Sequence, residues 1–366
     1  MKALAPYRDP ARIAALAEAI RRRVTRPWTV MEICGGQTHS IVKHGLDTLL
    51  PPELVLVHGP GCPVCVTPVE TLDRALAIAA RPEVVFCTFG DMLRVPGSKG
   101  DLQGVKARGG DVRVVHSPLD AVELAARTPE REIVFFAVGF ETTAPVHALA
   151  ILEAERRSVT NFTVLTALVR VPPALEALLA DGDHRLDGLL AAGHVCAVMG
   201  TAEYEPIARA HGLPIVVTGF EPVDVLEGLL RCVAQLEQGR AEVEIQYDRV
   251  VRPEGNLAAR RAIETVFEAI DQAWRGLGTL PSSGFGLRAA YAAYDARLRF
   301  ASDACAAEPS TVCIAGEVLR GLAKPGDCPA FGRGCTPEHP LGAPMVSSEG
   351  ACAAYHRYRP SPEPTP

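Results

Sequence analysis

Short apolar runs alternate with amphipathic stretches along the first 245 residues of the chain. The apolar runs predict strands at 28–33, 54–58, 84–88, 112–116, 133–138, 162–168, 188–190, 195–199 and 214–218. Helical periodicity between them predicts helices at 68–80, 119–127, 145–157 and 223–238. Strands that are apolar almost throughout, alternating with helices, are typical of parallel sheets covered on both faces. The pattern therefore predicts an α/β protein.

The number of strands and a near-repeat indicate more than one domain. Residues 138–141 (Val-Gly-Phe-Glu) and 218–221 (Thr-Gly-Phe-Glu) each follow an apolar strand and precede a helix. We predict two similar parallel-sheet α/β domains around a cleft, at residues 28–128 and 129–245. A third, Cys-rich domain is predicted at 246–366, together with an N-terminal helix at 1–27. Within it, residues 256–274 predict one helix, followed by a Gly/Pro/Cys-rich tail with few regular elements.

Composition and charge narrow the class of protein. The 366 residues are 48% hydrophobic and 22% charged, which is ordinary for a globular protein and excludes a mainly disordered chain. A net charge of −6 argues against a nucleic-acid binder, which usually carries a basic stripe. No apolar run reaches the roughly 18 residues of a membrane span, and the first 26 residues lack a signal-peptide core. We therefore expect a cytoplasmic protein that binds neither nucleic acid nor membrane.

Cysteine is the unusual feature of the composition. The chain has 11 cysteines, an odd number, and a reducing compartment does not favour a static disulfide framework. Metal binding, redox chemistry or burial must explain them. The chain lacks a phosphate-binding loop, a dinucleotide fingerprint and a Cys-x3-Cys-x2-Cys run, so nucleotide-driven and radical S-adenosylmethionine chemistry are not indicated.

A first candidate site lies at residues 32–39 (Glu-Ile-Cys-Gly-Gly-Gln-Thr-His), where a buried strand ends and a helix begins. Ligands of open α/β sheets bind at such strand ends, and the two glycines expose backbone amides to a ligand. Cys34 and His39 can meet at one point across this turn. The alternative is a buried cysteine in a tight turn with a histidine on the surface.

A second candidate site is the Cys-Pro-Val-Cys sequence of Cys62 and Cys65. Thr67 and Glu70 predict a capping box, so the cysteine pair lies just ahead of a helix N-terminus, where thiolate is favoured. This arrangement suits a reversible disulfide or a soft metal. Half of a structural zinc site is the alternative, but the chain contains no second Cys-x-x-Cys.

A third candidate site is formed by cysteines of the C-terminal tail: Cys313, Cys328, Cys335 and Cys352. Four thiols in a segment without an obvious core predict a metal site with all-cysteine ligation, either zinc or an iron–sulfur cluster. Four unrelated free cysteines are the alternative.

The remaining cysteines carry no motif. Cys87 and Cys196 fall in predicted apolar strands and are expected to be buried, and Cys232 and Cys305 give no functional signal. His194 lies at the edge of a segment and can face the cleft, although a lone histidine is more often structural.

Charged residues at strand ends are weaker candidates. Glu141 and Glu221 occupy matching positions and are expected to face each other across the cleft, where they position a substrate or merely cap the next helices. Asp91 and Arg94 after the 84–88 strand are a similar case.

Taken together, the motifs resemble the HypD family of hydrogenase maturation factors. The matching stretches extend over nearly the whole chain, and their order and spacing are specific. They are 34–39 (Cys-Gly-Gly-Gln-Thr-His), 59–65 (Gly-Pro-Gly-Cys-Pro-Val-Cys), 86–91 (Phe-Cys-Thr-Phe-Gly-Asp), 139–143 (Gly-Phe-Glu-Thr-Thr), 219–222 (Gly-Phe-Glu-Pro) and 345–352 (Met-Val-Ser-Ser-Glu-Gly-Ala-Cys).

The resemblance implies a scaffold for assembling the Fe(CN)2CO unit of nickel–iron hydrogenases. It implies that a small HypC-type partner helps to hold the iron and that a HypE-type protein delivers cyanide. It also implies a 4Fe-4S cluster that exchanges electrons with a nearby dithiol. By this likeness Cys34 is the candidate iron ligand with His39 close by, and Cys62 and Cys65 are the redox pair.

The same resemblance implies cluster ligation by Cys328, Cys335 and Cys352. The family pattern expects the fourth cysteine where this chain has Ala315, so Cys313 is the candidate in its place and Cys305 a weaker substitute. Such a scaffold has redox activity without turning over a free substrate. An iron–sulfur thiol–disulfide oxidoreductase acting on a protein partner is the alternative, and a zinc-stabilised α/β protein is a third possibility.

Overall fold

Two parallel β-sheets and one antiparallel hairpin frame the molecule in the computed structural model, which describes residues 2–182, 184–300 and 312–359. The strands of these ranges are β1 (Trp28–Glu32), β2 (Leu54–His58), β3 (Val84–Thr88), β4 (Asp111–Val114), β5 (Glu132–Gly139), β6 (Phe162–Leu168), β7 (Gly188–Ala192), β8 (Ile215–Thr218), β9 (Val243–Ile245), β10 (Phe267–Trp274) and β11 (Gly278–Leu287). Their α-helices are α1 (Pro10–Arg23), α2 (Gly35–His44), α3 (Pro63–Val66), α4 (Val69–Ala79), α5 (Leu102–Ala107), α6 (Pro118–Arg127), α7 (Ala144–Arg156), α8 (Val171–Ala180), α9 (Gly193–Met199), α10 (Tyr204–His211), α11 (Pro222–Gln238), α12 (Leu257–Val266), α13 (Ala296–Arg299), α14 (Ala315–Leu319) and α15 (Ala351–Tyr358).

Both sheets are parallel, which confirms the predicted α/β class. Over the described ranges, the first sheet has the order β2-β1-β7-β8-β9 and the second the order β4-β3-β5-β6. Alternate residues of β5 enter separate apolar cores, with Phe135 on one face of the second sheet and Phe136 on the other. Burial on both faces is why these strands are apolar almost throughout.

The predicted boundary between residues 128 and 129 does not match the strand pairing. Strand β1 pairs with β7 in the register Val30↔Gly188, and β3 pairs with β5 in the register Val84↔Glu132. Each sheet therefore takes strands from both predicted ranges. The chain leaves the first sheet after β2, builds the whole second sheet and returns at β7. The prediction took consecutive strands as neighbours, which chain order alone does not guarantee.

The N-terminal segment belongs to the first sheet and not to the C-terminal region as predicted. A 3-10 helix at Lys2–Arg8 precedes α1, so residues 1–27 are not one helix. Asp9 separates the two because its side chain accepts a hydrogen bond from the Ala11 amide and caps α1. Helix α1 packs on α11, where Arg12 forms an ion pair with Glu227.

Two local predictions are wrong. Residues 195–199, predicted as a strand, lie in α9, because a five-residue apolar run does not distinguish a buried strand from a buried helix. Residues 256–274, predicted as one helix, contain α12 followed by β10, which pairs with β11. Gly276 and Gly278, both at positive φ, make the turn of this hairpin.

The C-terminal residues 312–359 lie across both sheets. Leu319 joins a core of the first sheet and Val346 a core of the second, while Phe331 and Tyr355 pack with Val42 of α2 in a small cluster of their own. An independent Cys-rich domain is thus not confirmed. Among the helices of the described ranges, none is long and apolar enough to cross a membrane.

Candidate functional site

The carboxyl ends of strands from both sheets meet at one cleft. It encloses about 360 Å³ and is lined by residues that follow β2, β3, β5 and β7, including Gly61, Asp91, Phe140 and His194. The C-terminal Glu349 closes one side. Clefts at the carboxyl ends of parallel strands are where α/β proteins bind ligands. The predicted cleft between two sheets is present.

Cys34 is buried at the end of β1, and its backbone is fixed from two sides. The Cys34 amide donates to Glu32 Oε2 at 3.0 Å, and the Gly35 amide donates to the Gly61 carbonyl at 2.9 Å. A Cβ on Gly61 would lie 2.1 Å from the Ile33 carbonyl oxygen, so only glycine lets these two loops approach so closely. The turn at Cys34 and the Cys62–Cys65 loop therefore form one rigid unit.

The imidazole that lies at the Cys34 sulfur is that of His194. Cys34 Sγ is 3.6 Å from His194 Nε2 and 4.0 Å from Nδ1. Helix α9 begins directly after β7, the neighbour of β1, and this brings His194 to the same strand end. Phe220 stacks on the imidazole with ring centroids 4.7 Å apart. The sequence offered His194 only as a residue able to face the cleft.

Burial controls the protonation of this pair. Burial, followed by the charge of Glu349, raises the pKa of the Cys34 thiol well above its usual range. Burial lowers the pKa of His194 to about 4, so its ring is neutral at pH 7. A neutral imidazole and a thiol that loses its proton on binding form a donor pair suited to a borderline or soft metal.

His39 lies elsewhere, contrary to the expectation that it meets Cys34. Its Nδ1 is 3.1 Å from the Ser348 carbonyl oxygen, and its Nε2 is 3.4 Å from the Tyr358 hydroxyl. Because α2 begins at Gly35, residue 39 has turned away from the strand end toward the C-terminal segment. Its contacts connect α2 with α15.

A buried polar network beneath Cys34 was not predicted. The Glu32 carboxylate also accepts hydrogen bonds from the Thr38 hydroxyl and from His58 Nδ1, the latter at 2.6 Å. His58 Nε2 lies 3.1 Å from the Tyr355 hydroxyl of α15. Glu32 and His58 are direct neighbours in the β1–β2 register. Polar residues at the same end of two adjacent apolar strands were the signal that could have revealed this network.

The Cys62 and Cys65 sulfurs are joined in a disulfide, and both residues are buried. Cys62 is the N-cap of α3, where its sulfur accepts a hydrogen bond from the Cys65 amide at 3.2 Å. The predicted capping box is not formed, because the Thr67 hydroxyl donates to the Pro63 carbonyl and α4 begins only at Val69. The pair therefore lies in the first turn of its own short helix.

The four C-terminal cysteines line one small cavity, together with Val318, Phe331 and Met345. They are Cys313, Cys328, Cys335 and Cys352. Burial, followed by the charges of the other three cysteines, raises the pKa of the Cys352 thiol well above its usual range. Ala315, where the resemblance leads one to expect a ligand, lines the same cavity as Cys313. A thiol two residues earlier therefore reaches the same space.

The all-cysteine donor set around this cavity suits either of the two metal groups. Within residues 2–182, 184–300 and 312–359, no three His, Cys, Asp or Glu side chains lie close enough to hold one metal ion. The ligands of a single zinc share one centre, whereas the four cysteines of a 4Fe-4S cluster each bind a different iron. Four thiols around one cavity provide the one cysteine per iron that a 4Fe-4S cluster would need. Cys305, the weaker substitute ligand, lies outside the described residues.

The two paired glutamates do not face each other, contrary to expectation. Glu221 forms an ion pair with Arg8 and caps α11 in a reciprocal capping box with Asp224. Glu141 is fully buried, and its Oε1 accepts a hydrogen bond from the Val171 amide at 2.8 Å. Glu221 therefore caps the next helix, which was the simpler of the two expectations, whereas Glu141 binds the N-terminus of α8 and not that of the next helix, α7.

The remaining candidates have structural partners. Asp91 accepts a hydrogen bond from the Ser347 hydroxyl at 2.9 Å, and Arg94 donates to the Pro337 carbonyl, so both bind the C-terminal segment. The cysteines Cys87, Cys196 and Cys232 are fully buried, as expected of the first two.

Fold and site together define an α/β protein of two parallel sheets, with Cys34 beside a histidine of the cleft and four further cysteines around a second cavity. Residues 11–359 match the family described as "HypD: Hydrogenase formation hypA family". The hydrogenase maturation factor HypD of Rhodobacter capsulatus is 50% identical over 370 residues, covering 98% of both chains. HypD of Escherichia coli K12 is 47% identical over 369 residues, also covering 98% of both. The chain belongs to the HypD family, which supports a role in hydrogenase maturation.

Proposed function

We propose that this chain is a scaffold on which the Fe(CN)2CO unit of nickel–iron hydrogenases is assembled. The observation that carries the proposal is the Cys34 sulfur, fixed at the end of a central strand with His194 Nε2 3.6 Å away at the cleft. A small HypC-type partner completes the iron site from the open side, and a HypE-type protein delivers cyanide there. The chain acts as a scaffold with redox activity and does not turn over a free substrate.

The cargo iron binds to the Cys34 thiolate. Thiolate is a soft, electron-rich donor, which favours back-bonding from iron to carbon monoxide and cyanide. The backbone amides of Gly36 and Gln37 act on this sulfur and lower the pKa of its thiol. Amides in this position suit the nitrogen ends of cyanide, as backbone nests bind anions. His194 adds a second ligand, because its ring is neutral at pH 7 and keeps a lone pair for the metal. The thiol proton is released when the metal binds.

The Cys62–Cys65 pair supplies the dithiol. Its loop contacts the Cys34 turn through the Gly35 to Gly61 hydrogen bond, so a change in the pair is close to the cargo site. Cys313, Cys328, Cys335 and Cys352 hold the resident 4Fe-4S cluster. That cluster supplies or accepts single electrons. Opening the disulfide takes up two electrons and two protons, and Cys62 and Cys65 receive both protons. The group held by the four cysteines would pass these electrons in two single steps, each resupplied by an external one-electron donor protein.

A thiol–disulfide oxidoreductase acting on a protein partner is the second candidate. The buried disulfide beside the cleft favours it, because such a pair is shielded from small thiols in solution. An oxidoreductase needs the dithiol and the cluster but not Cys34. The requirement for Cys34 in an assay of hydrogenase maturation therefore separates the two functions.

The test is an infrared spectrum of the chain purified anaerobically with its small partner, together with metal analysis. The scaffold predicts bands of metal-bound cyanide and carbon monoxide and about five irons, four in the cluster and one as cargo. A sample with the cluster but no diatomic bands would favour the oxidoreductase. Stoichiometric zinc without iron would refute both.

A further inference from the structure

The tip of the β10–β11 hairpin lies between α3, the helix that follows Cys62 and carries Cys65, and the cavity lined by the four C-terminal cysteines (the four-cysteine cavity). The Arg275 amide donates to the Val66 carbonyl at 2.8 Å, at the end of α3, the helix that carries Cys65. On its other side, a Cβ on Gly276 would lie 2.7 Å from Gly316 Cα, so the two backbones are in close contact. Gly316 is three residues beyond Cys313. The hairpin tip therefore contacts residues next in sequence to, or three beyond, a cysteine of each redox candidate.

The Arg275 side chain at this tip is a cation without a paired anion. Its Nη1 donates to the Pro96 carbonyl at 3.1 Å, and within the described residues no carboxylate lies within the 4.0 Å of an ion pair. Asp73, one of the acidic groups whose charge acts on it, is already bound to the Ser98 amide and hydroxyl. A desolvated cation without a counter-ion is costly, so an anion is expected nearby.

The charges that act on the Arg275 guanidinium agree with this geometry. Burial lowers the pKa of the Arg275 guanidinium, and the charges of Cys313, Glu70 and Asp73, in that order, oppose the shift. The strongest opposing charge is thus a cysteine of the cavity. Four thiolates around a 4Fe-4S core carry a net negative charge, and that charge is among the quantities that set the potential of a cluster.

We propose that Arg275 is the counter-charge of the four-cysteine cavity and raises the reduction potential of the group bound there. The inference rests on the proposed function for the identity of that group. Reduction adds one electron and no proton, so it makes the cavity more negative by one charge. A fixed guanidinium stabilises the reduced state more than the oxidised state. Arg275 thereby limits how strongly the cavity can reduce the Cys62–Cys65 disulfide.

The experiment is a redox titration of the anaerobically purified full-length chain, followed by electron paramagnetic resonance. Arg275→Gln removes the charge and Arg275→Lys keeps it. Arg297→Gln is the matched control, because Arg297 is also half-buried, has a lowered pKa and donates to a backbone carbonyl, that of Thr166. At the midpoint reduction potential of the wild type, Arg275→Gln should lower the ratio of reduced to oxidised cluster about tenfold. This corresponds to a change of about −59 mV in the midpoint potential for one electron.

Each outcome decides the proposal. Arg275→Lys should stay within about twofold of the wild-type ratio, and Arg297→Gln should match the wild type. An Arg275→Gln ratio within twofold of wild type would refute the role of Arg275 and leave the cluster itself intact. An equal shift in Arg297→Gln would refute it as well, since the effect would then not depend on the cavity.

Loss of the cluster is a separate result. If Arg275→Gln fails to hold iron while Arg275→Lys holds it, the positive charge is required and the inference stands. If both variants lose iron, the side chain acts through its shape and the inference is wrong. If the wild type itself holds zinc and no iron, the proposed cluster fails first, and this inference fails with it.

Discussion

The Cys34 turn and the four-cysteine cavity both gather thiols, but the chain holds them in different ways. Cys34 follows a strand that lies between two others, and hydrogen bonds to Glu32 and Gly61 fix its backbone. The cavity cysteines lie on short helical turns and loops, and only Cys335 is fully buried. The sheet therefore fixes the backbone of the first site. We expect the order of the second site to depend on what it binds, because a metal group can add to the order that its small apolar cluster supplies.

The largest expected effect follows directly from this difference. Removing the metal by chelation, or replacing Cys352 with Ser, should leave residues 312–359 exchanging amide hydrogens many times faster while both sheets stay protected. Hydrogen exchange with mass spectrometry measures this by segment. Unchanged protection of 312–359 in the metal-free chain would show that its small apolar cluster is sufficient to keep the segment folded. The expected difference between this segment and the sheets would then be wrong.

The stability of the sheet region should instead depend on pH, through the buried carboxyl group of Glu141. Burial raises the pKa of Glu141 from its ordinary 4.5 to about 7, and Glu203 adds to this while the Val171 amide and Arg170 oppose it. The folded state then binds the proton more tightly than the unfolded state. This contribution is complete below pH 4.5 and is lost as pH rises to about 7, by a total on the order of 3 kcal/mol.

Glu141→Gln keeps the acceptor for the Val171 amide and removes the ionisation. The free energy of unfolding of Glu141→Gln should therefore increase, relative to that of wild type, between pH 5 and pH 8. Urea unfolding at both pH values measures the difference. A difference that does not change with pH would mean that Glu141 ionises normally and is not sealed off from water.

The buried hydrogen-bond network beneath Cys34 should be more sensitive to substitution than a partly exposed one. Glu32→Gln should cost about 2 kcal/mol, because a fully buried acceptor of three hydrogen bonds loses its charge and presents an amide to His58 and Thr38. Glu237→Gln is a matched control, since Glu237 also accepts three hydrogen bonds but is partly exposed. Urea unfolding should show the smaller loss for Glu237→Gln. Equal losses would argue that burial adds nothing to the Cys34 turn.

The smallest effect is expected at His39. His39→Ala removes a hydrogen bond to Ser348 and a ring contact with Tyr358, together worth about 1 kcal/mol. It should not alter the geometry at the Cys34 sulfur, which contacts a different imidazole. Urea unfolding gives the stability, and iron content after anaerobic purification gives the effect on the site. If His39→Ala lost as much iron as His194→Ala, His39 would have to take part in iron binding after all.

Strands were well predicted where most of their residues are buried, although Val55 of β2 is exposed. Residues 54–58, 84–88 and 162–168 are strands with the predicted ends. Their order was not predictable in the same way, because pairing depends on which crossover helices pack between sheets. The apolar pattern of a strand does not encode its neighbour. For this reason the boundary at residue 128 was wrong although both sheets were expected.

The sites were predictable where chemistry is local in sequence and not where it is assembled by the sheet. The Cys34 turn and the Cys62–Cys65 pair are contained in short motifs. His194 reaches Cys34 only because β7 lies beside β1, and no spacing along the chain shows that. The C-terminal cysteines could be grouped because their sequence predicts few regular elements, but the sequence did not show that this segment packs in a cluster of its own and against both sheets.

The most direct test of the account is whether Cys34 holds the cargo iron. Cys34→Ala and the matched Cys232→Ala, which alters an equally buried thiol outside the site, are each purified anaerobically with the small partner and examined by infrared spectroscopy. Cys232→Ala should keep the bands of metal-bound cyanide and carbon monoxide, and Cys34→Ala should lose them while retaining its fold and cluster. Cys34→Ala that still carries those bands would place the iron elsewhere and contradict the account.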